Sequence, residues 1–260
     1  GKITKFNLTN MSDDGQGNAI NMYDSTTLFT AGSNSTNGRY MYHSMDATVG
    51  QTTNSLWLYA GTGDYERIGD ASKGTQNLML GIADPNYPNY KAVSKPKRAA
   101  DLTRCKNTTN DTTGANCPEL AKDIGWYITL PNYQKVTAEP SVSSGLAYFP
   151  IYQPSSSVNK CSLGDAFICA ADDECGTNTS ADLTELEFSP VNEDGTPIPN
   201  PESNACGFVR KGVLSELVIF ADKLFANVAG PSEDASTLFS ILSIPGDVIT
   251  NKGGWRDSSF

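Results

Sequence analysis

Leu56, Trp57, Leu58 and Tyr59 run directly into Gly61-Thr62-Gly63 and then into the charged segment 64–70. A strand that ends in a glycine turn can cradle a phosphate, provided the glycines lead straight into a helix whose N-terminal amides face the anion. Here Glu66 stands where a dinucleotide fingerprint needs its third glycine, and 64–74 carries no helical apolar period. The glycines are therefore read as serving backbone conformation and the close approach of another strand.

Acidic clusters offer the next chemistry. Calcium asks for six to eight oxygens, usually from alternating Asp and Asn around a sharp glycine turn with a carboxylate further on. Asp172, Asp173 and Glu174 are contiguous, so their side chains diverge; 192–195 (NEDG) lacks a following bidentate glutamate, and 12–18 (SDDGQGN) has similar defects. All three are read as solvated turns, calcium staying possible with no matching loop. His43 is the single histidine of the chain, so an imidazole-based triad has one candidate base, and His43 is read as a packed or surface residue. Paired carboxylates need be neighbours only in space, and nothing in the sequence points to such a pair. No catalytic, cofactor-binding or metal residue is therefore assigned. Trp57, Trp126 and Trp255 could stack a ligand but are read as core, given the area each buries. Asn7, Asn34, Asn107, Asn110 and Asn178 each open an Asn-x-Ser/Thr sequence, which matters only in a glycosylating secretory system.

The six cysteines form no pair of CxxC or HxxxH motifs, so zinc is disfavoured and disulfides are the reading, which places the protein outside the reducing cytosol. Cys105 and Cys117, with 11 residues between them, close an easy local loop; Cys169 with Cys175 and Cys161 with Cys206 are the further pairings expected. A net charge of −10 and a pI near 4.6 remove the electrostatic footprint needed to grip nucleic acid. No apolar run approaches the roughly 20 residues that span a bilayer. Gly1 opens the chain without a signal peptide's charged and apolar regions, which is read as a mature product or, preferably, an internal or C-terminal piece of a longer protein.

These groups must be positioned by strands. Charged residues make up only 18% of the 260-residue chain, and short apolar runs between Gly, Pro, Asn and Asp predict an all-β protein with few short helices. Strands are expected around Ile3, Phe6 and Leu8, at 27–29 and 40–42, through 55–61, and at 76–84. Two long excursions interrupt the pattern, at about 85–118 and 161–206, each tied by disulfides. Pro118 at a first helical position predicts a short helix over 118–126. Between the excursions lies a repeat: 138–154 lies on 215–231 with Glu139 on Glu216, an offset of 77 residues. Each copy reads as strand, tight turn and strand, and 54–65 fits the same second-strand slot one unit earlier. Widely spaced hairpins of one pattern predict part of a modified β-propeller spanning 1–260.

The segments 212–231 and GGWRD (253–257), together with GWYITLP (125–131), 145–161, 56–70 and the opening GKITKFNL, occur in the order of successive segments of the PilC/PilY family of type IV pilus tip proteins, which the chain resembles. The resemblance implies a propeller region exported through the periplasm and outer membrane and displayed on the cell surface at the pilus tip. There it would act with minor pilins in assembly and contact surfaces or host cells through receptors the sequence does not name. Some members carry a regulatory calcium loop of spaced aspartates, which cannot be laid on this sequence, and Asp257 stands where the family often has Glu. Three or four blades do not close a ring, so the remaining blades are expected from the same or another chain, and the isolated chain is expected to expose strand edges. A non-catalytic tip adhesin or assembly factor is the leading expectation. The alternatives are a periplasmic quinoprotein-like propeller enzyme, weakened by the lack of an adjacent Cys-Cys pair, and a structural propeller of an envelope assembly machine.

Overall fold

The computed structural model describes residues 1–9, 13, 17, 19–32, 38–69, 75–84, 86–106, 114, 125–130, 133–155, 163–176, 206–220, 223–230 and, by backbone alone, 239–243. Its strands, in chain order, are β1 (Lys2–Phe6), β2 (Ser25–Thr30), β3 (Asp46–Val49), β4 (Leu56–Gly61), β5 (Leu78–Asp84), β6 (Lys97–Arg98), β7 (Thr103–Arg104) and β8 (Gly125–Thr129). They continue with β9 (Lys135–Val136), β10 (Ser141–Ser143), β11 (Leu146–Gln153), β12 (Asp165–Asp172), β13 (Cys206–Lys211), β14 (Val213–Phe220), β15 (Lys223–Ala229) and β16 (Phe239–Ser243). A 3-10 turn at Ala99–Asp101 is the one helical turn among the described residues, and no helix among them is long and apolar enough to cross a membrane.

Among the described residues four sheets form, in chain order: β1-β2-β6; β3-β4-β5-β8-β7; β10-β11-β12-β13 with β9 beside β11; and β14-β15-β16. Among the described residues three apolar cores lie between successive sheets. Phe29, Leu80 and Ile82 belong to the first, Trp57, Trp126, Phe149 and Phe167 to the second, and Tyr148, Ile168, Leu214 and Leu224 to the third. Side chains alternate across a strand, so in β11 and β12 one set of residues enters the second core and the other set the third. Strands buried on both faces read as unbroken apolar runs, which accounts for LAYFPIY and AFICAA. In the terminal sheet, by contrast, β15 buries Leu224, Ala226 and Val228 on one face, while β14 leaves Val218 and Phe220 exposed.

The repeat is exact in register. Ser141 pairs with Tyr148 and Ser143 with Leu146; 77 residues on, Val218 pairs with Phe225 and Phe220 with Lys223. Ser144 (φ 52°) and Gly145 (φ 81°) turn the first hairpin, both in the left-handed region that matches the twist of a two-residue hairpin. The second, third and fourth sheets each place β4, β11 or β15 in the second-strand position. Sheets are also laced to one another: Asp46 accepts the Val142 amide at 2.8 Å, and Thr137 and Ser141 hydroxyls donate to the Leu214 and Leu217 carbonyls at 3.1 Å each. The chain is thus all-β and part of a modified propeller, with none of its described sheets closed on itself.

Several expectations change. Residues 40–42 form no strand, and β3 takes that place. Phe6 and Leu8 point outward while Ile3 is core, because Ile3 alone lies on the inward face of β1. The excursion expected over 161–206 contains β12, a central strand of the third sheet, so the insertion shrinks to the connection between β12 and β13. The helix expected over 118–126 ends inside β8 at Gly125 and Trp126; its earlier residues lie outside the described ones. The excursion after residue 84 carries β6 and β7, which pair in parallel with β2 and β8 and so extend two sheets.

Candidate functional site

The glycine turn after β4 is closed by protein. The Thr62 carbonyl accepts the Val136 amide at 3.1 Å, and a Cβ added at Gly63 would lie 2.7 Å from the Val136 carbonyl oxygen. Gly61 faces the Val136 side chain in the same way. The close strand approach read from the sequence is therefore made by β9, whose backbone fills the place a phosphate would need.

The densest set of chemistry-bearing groups sits at the joint of the second and third sheets, where β12 runs out into Asp172, Asp173 and Glu174. This segment is no solvated turn: Asp173 and Glu174 are 8% and 7% exposed. Asp172 Oδ1 accepts the amides of Glu174 (3.1 Å) and Cys175 (3.0 Å), an Asx-type turn that reverses the chain. That reversal aims Glu174 at the turn joining β3 to β4, where its two oxygens accept the Thr52 amide at 2.6 Å and the Thr53 amide at 2.8 Å. The same turn receives the Trp57 indole N–H, which donates to the Thr53 hydroxyl at 2.8 Å. Trp126 donates its indole N–H to the Asp173 carbonyl at 2.9 Å.

Electrostatics follow from this placement. Burial works against the charge of Glu174, but the Thr52 and Thr53 hydrogen bonds outweigh it and hold its pKa below the usual carboxylate range. In Asp173 the balance reverses: burial, then the neighbouring Asp172 and Glu174 charges, outweigh its backbone hydrogen bonds and push it up to about 6. Burial also raises Asp172. The Tyr59 hydroxyl, fully buried and without a hydrogen-bond partner, is raised by burial and by these carboxylates. Chemically the cluster is a clamp whose carboxylate oxygens are occupied by backbone amides. Among the described residues no group of three or more His, Cys, Asp or Glu is arranged to hold a metal ion.

The cysteines re-pair. Cys169 and Cys206 lie opposite one another in the β12–β13 ladder and are joined, which replaces the expected Cys169–Cys175 and Cys161–Cys206 pairs. Cys105 is a free, buried thiol, so the expected Cys105–Cys117 bridge does not form; its thiol is pushed up to about 12 by burial and then by Asp172, and it contacts the Cys175 carbonyl at 3.1 Å. Cys175 is disulfide-bonded; Cys117 and Cys161 lie outside the described residues. The cross-strand position of Cys169 and Cys206 becomes visible only once β12 is recognised as a strand.

His43 packs edge-on against Tyr65 with ring centroids 5.4 Å apart, and burial lowers its pKa against the raising influence of Glu139; it stands among loop residues apart from the clamp. Trp57 and Trp126 are core. Asn7 is 1% exposed and its side chain bonds the Asn21 carbonyl and the Thr9 amide and hydroxyl, which bars it as an acceptor for a glycan. Trp255, 192–195 and the remaining Asn-x-Ser/Thr asparagines lie outside the described residues, as does most of 12–18.

Stacked four-sheet architecture of this kind defines a propeller-type scaffold. Among solved structures the chain is similar to the crystal structure of the C-terminal domain of PilY1 from Pseudomonas aeruginosa, with a TM-score of 0.52 and 12% identity over 84% of this chain and 47% of that one. The likeness is one of fold, and the chain spans about half the length of that domain. No family model matches the sequence, and no curated protein matches it.

Proposed function

We propose that this chain is a non-catalytic scaffold displayed at the tip of a type IV pilus, acting as an adhesin or assembly factor beside minor pilins. The observation that carries the reading is the fold likeness to the PilY1 C-terminal domain over 84% of the chain, which agrees with the family-like order of its sequence segments. Export is supported by the Cys169–Cys206 disulfide and by disulfide-bonded Cys175, since such bonds persist in oxidising compartments. A scaffold role is supported by the clamp, whose carboxylates hold sheets together. Recognition is expected on the two connections that leave the third strand of a sheet, after β5 and after β12.

The test is immunogold labelling and mass spectrometry of purified pili from the source cell. Labelling confined to filament ends is the expected result, together with peptides of this chain in the filament fraction. A chain found only free in the periplasm, with no loss of piliation on deletion, overturns the proposal.

A further inference from the structure

Two loops meet at one end of the second sheet. Residues 38–45 lead into β3 and 62–69 leave β4, and because these strands are antiparallel, with Asp46 opposite Tyr59, the start of one lies beside the end of the other. The Gly63 amide donates to the Tyr40 carbonyl at 2.9 Å, and the Lys135 ammonium holds the 62–69 loop through the Arg67 carbonyl and, at 3.1 Å, the Ile68 carbonyl. Arg39 fixes the other loop by donating to the Gln76 carbonyl at 2.8 Å. The pair of loops is thus tied to the sheet before any partner arrives.

On this anchored base stand three exposed tyrosines, Tyr40 (43%), Tyr42 (45%) and Tyr65 (47%). Tyr40 and Tyr42 have ring centroids 5.7 Å apart, and His43 joins Tyr65 to the group. Around them are carboxylates: Asp64 is paired with Arg67 at 2.6 Å, Glu139 accepts the Ser44 hydroxyl, and Glu66 is exposed with no ion pair among the described residues. Asp64 and Glu66 flank Tyr65 in its loop, and partial desolvation, then Glu66 and Asp64, raise the Tyr42 pKa. Aromatic faces carry negative potential, and so do the carboxylates. An acidic chain of net charge −10 adds to a field that draws cations.

We propose that this face is a docking site for a cationic segment of a partner protein, with lysine or arginine side chains lying over Tyr42 and Tyr65 and neutralised by Glu66 and Glu139. Charge complementarity selects this occupant: among the described residues the cationic groups at the two loops are engaged within the protein, Arg67 by Asp64, Arg39 by the Gln76 carbonyl and Lys135 by the Arg67 and Ile68 carbonyls, while Glu66 is exposed. The inference stands apart from the pilus assignment and survives its failure.

The experiment is fluorescence anisotropy of the whole chain with a labelled peptide alternating arginine and glycine, with a glutamate–glycine peptide and neutral oligosaccharides as competitors. The double variant Tyr42→Ala/Tyr65→Ala is expected to weaken peptide binding about tenfold. Glu66→Gln/Glu139→Gln is expected to weaken it and to flatten its salt dependence. Phe220→Ala and Glu216→Gln, which remove an exposed ring and an exposed carboxylate on another sheet, are expected to change nothing. Equal losses in those two controls, or no loss in the tyrosine variant, overturn the proposal. So does displacement by the neutral oligosaccharides, which would make the face a glycan site, or self-association abolished by the tyrosine changes, which would assign it to a second copy of the chain.

Discussion

Glu174→Gln keeps the volume of the clamp and removes its symmetry. The carboxylate accepts the Thr52 and Thr53 amides through its two oxygens, at 2.6 and 2.8 Å; a carboxamide has one oxygen, so one amide is left facing an NH2 donor. A hydrogen bond to a charged group contributes roughly 1.5–3 kcal/mol, and a buried donor left unmade costs about 1–3 kcal/mol. The expected loss is therefore about 3 kcal/mol at pH 7.5, read as a lowered midpoint in urea unfolding with the disulfides intact. The pH dependence supplies a second arm. The folded pKa of Glu174 lies below its ordinary value, so its stabilisation is fully present above the unfolded value and is lost as the pH falls through the folded one. The gap between wild type and variant is thus expected to close as the pH drops below about 4. A gap under about 1 kcal/mol at pH 7.5, or one that persists unchanged in acid, refutes the clamp.

Asp173 carries the opposite sign. Its folded pKa, raised from 3.8 to about 6 by burial and by its acidic neighbours, means that stability falls as the pH rises from about 4 through 6, and Asp173→Asn is expected to gain up to about 3 kcal/mol at pH 7.5 and nothing at pH 4; equal midpoints at pH 7.5 would count against the assignment. Gly63→Ala forces a methyl to within 2.7 Å of the Val136 carbonyl, which only backbone movement can relieve, so a loss of about 2 kcal/mol is expected. A thermal midpoint within a degree of wild type would show that β9 is not packed as described.

Much of the fold was legible because the repeat is local. The 77-residue offset between 138–154 and 215–231 fixes two hairpins with the same register, and turn chemistry around Ser144 and Gly145 is written in the residues themselves. The role of Gly61 and Gly63 was legible too, since a phosphate loop needs a helix that the sequence lacks. What escaped was non-local. The segment 165–172 has the apolar content of a buried strand, yet cysteines and acids on either side made it read as part of an insertion. Its loss carried away the Cys169–Cys206 pair, since facing positions in a ladder cannot be assigned without the ladder. Asp173 and Glu174 read as a solvated turn because their composition is that of one; the Thr52 and Thr53 amides that make their burial tolerable lie more than a hundred residues earlier. The tyrosine face likewise depends on two loops that only the β3–β4 pairing brings together.

The second and third sheets share one further regularity. In each, the chain departs after the third strand, from β5 or β12, and returns as the fourth, β8 or β13, while the first three strands follow one another with shorter links. The first departure is pinned partway, since β6 and β7 pair with β2 and β8, and the second is pinned at its start by Glu174 on Thr52 and Thr53; length can change only between these anchors without disturbing the register of the stacked sheets. Changes in the lengths between anchors leave the stacking intact, while substitution within the sheets is limited by burial rather than by residue identity, the condition in which 12% identity over 84% of the chain coexists with a shared fold.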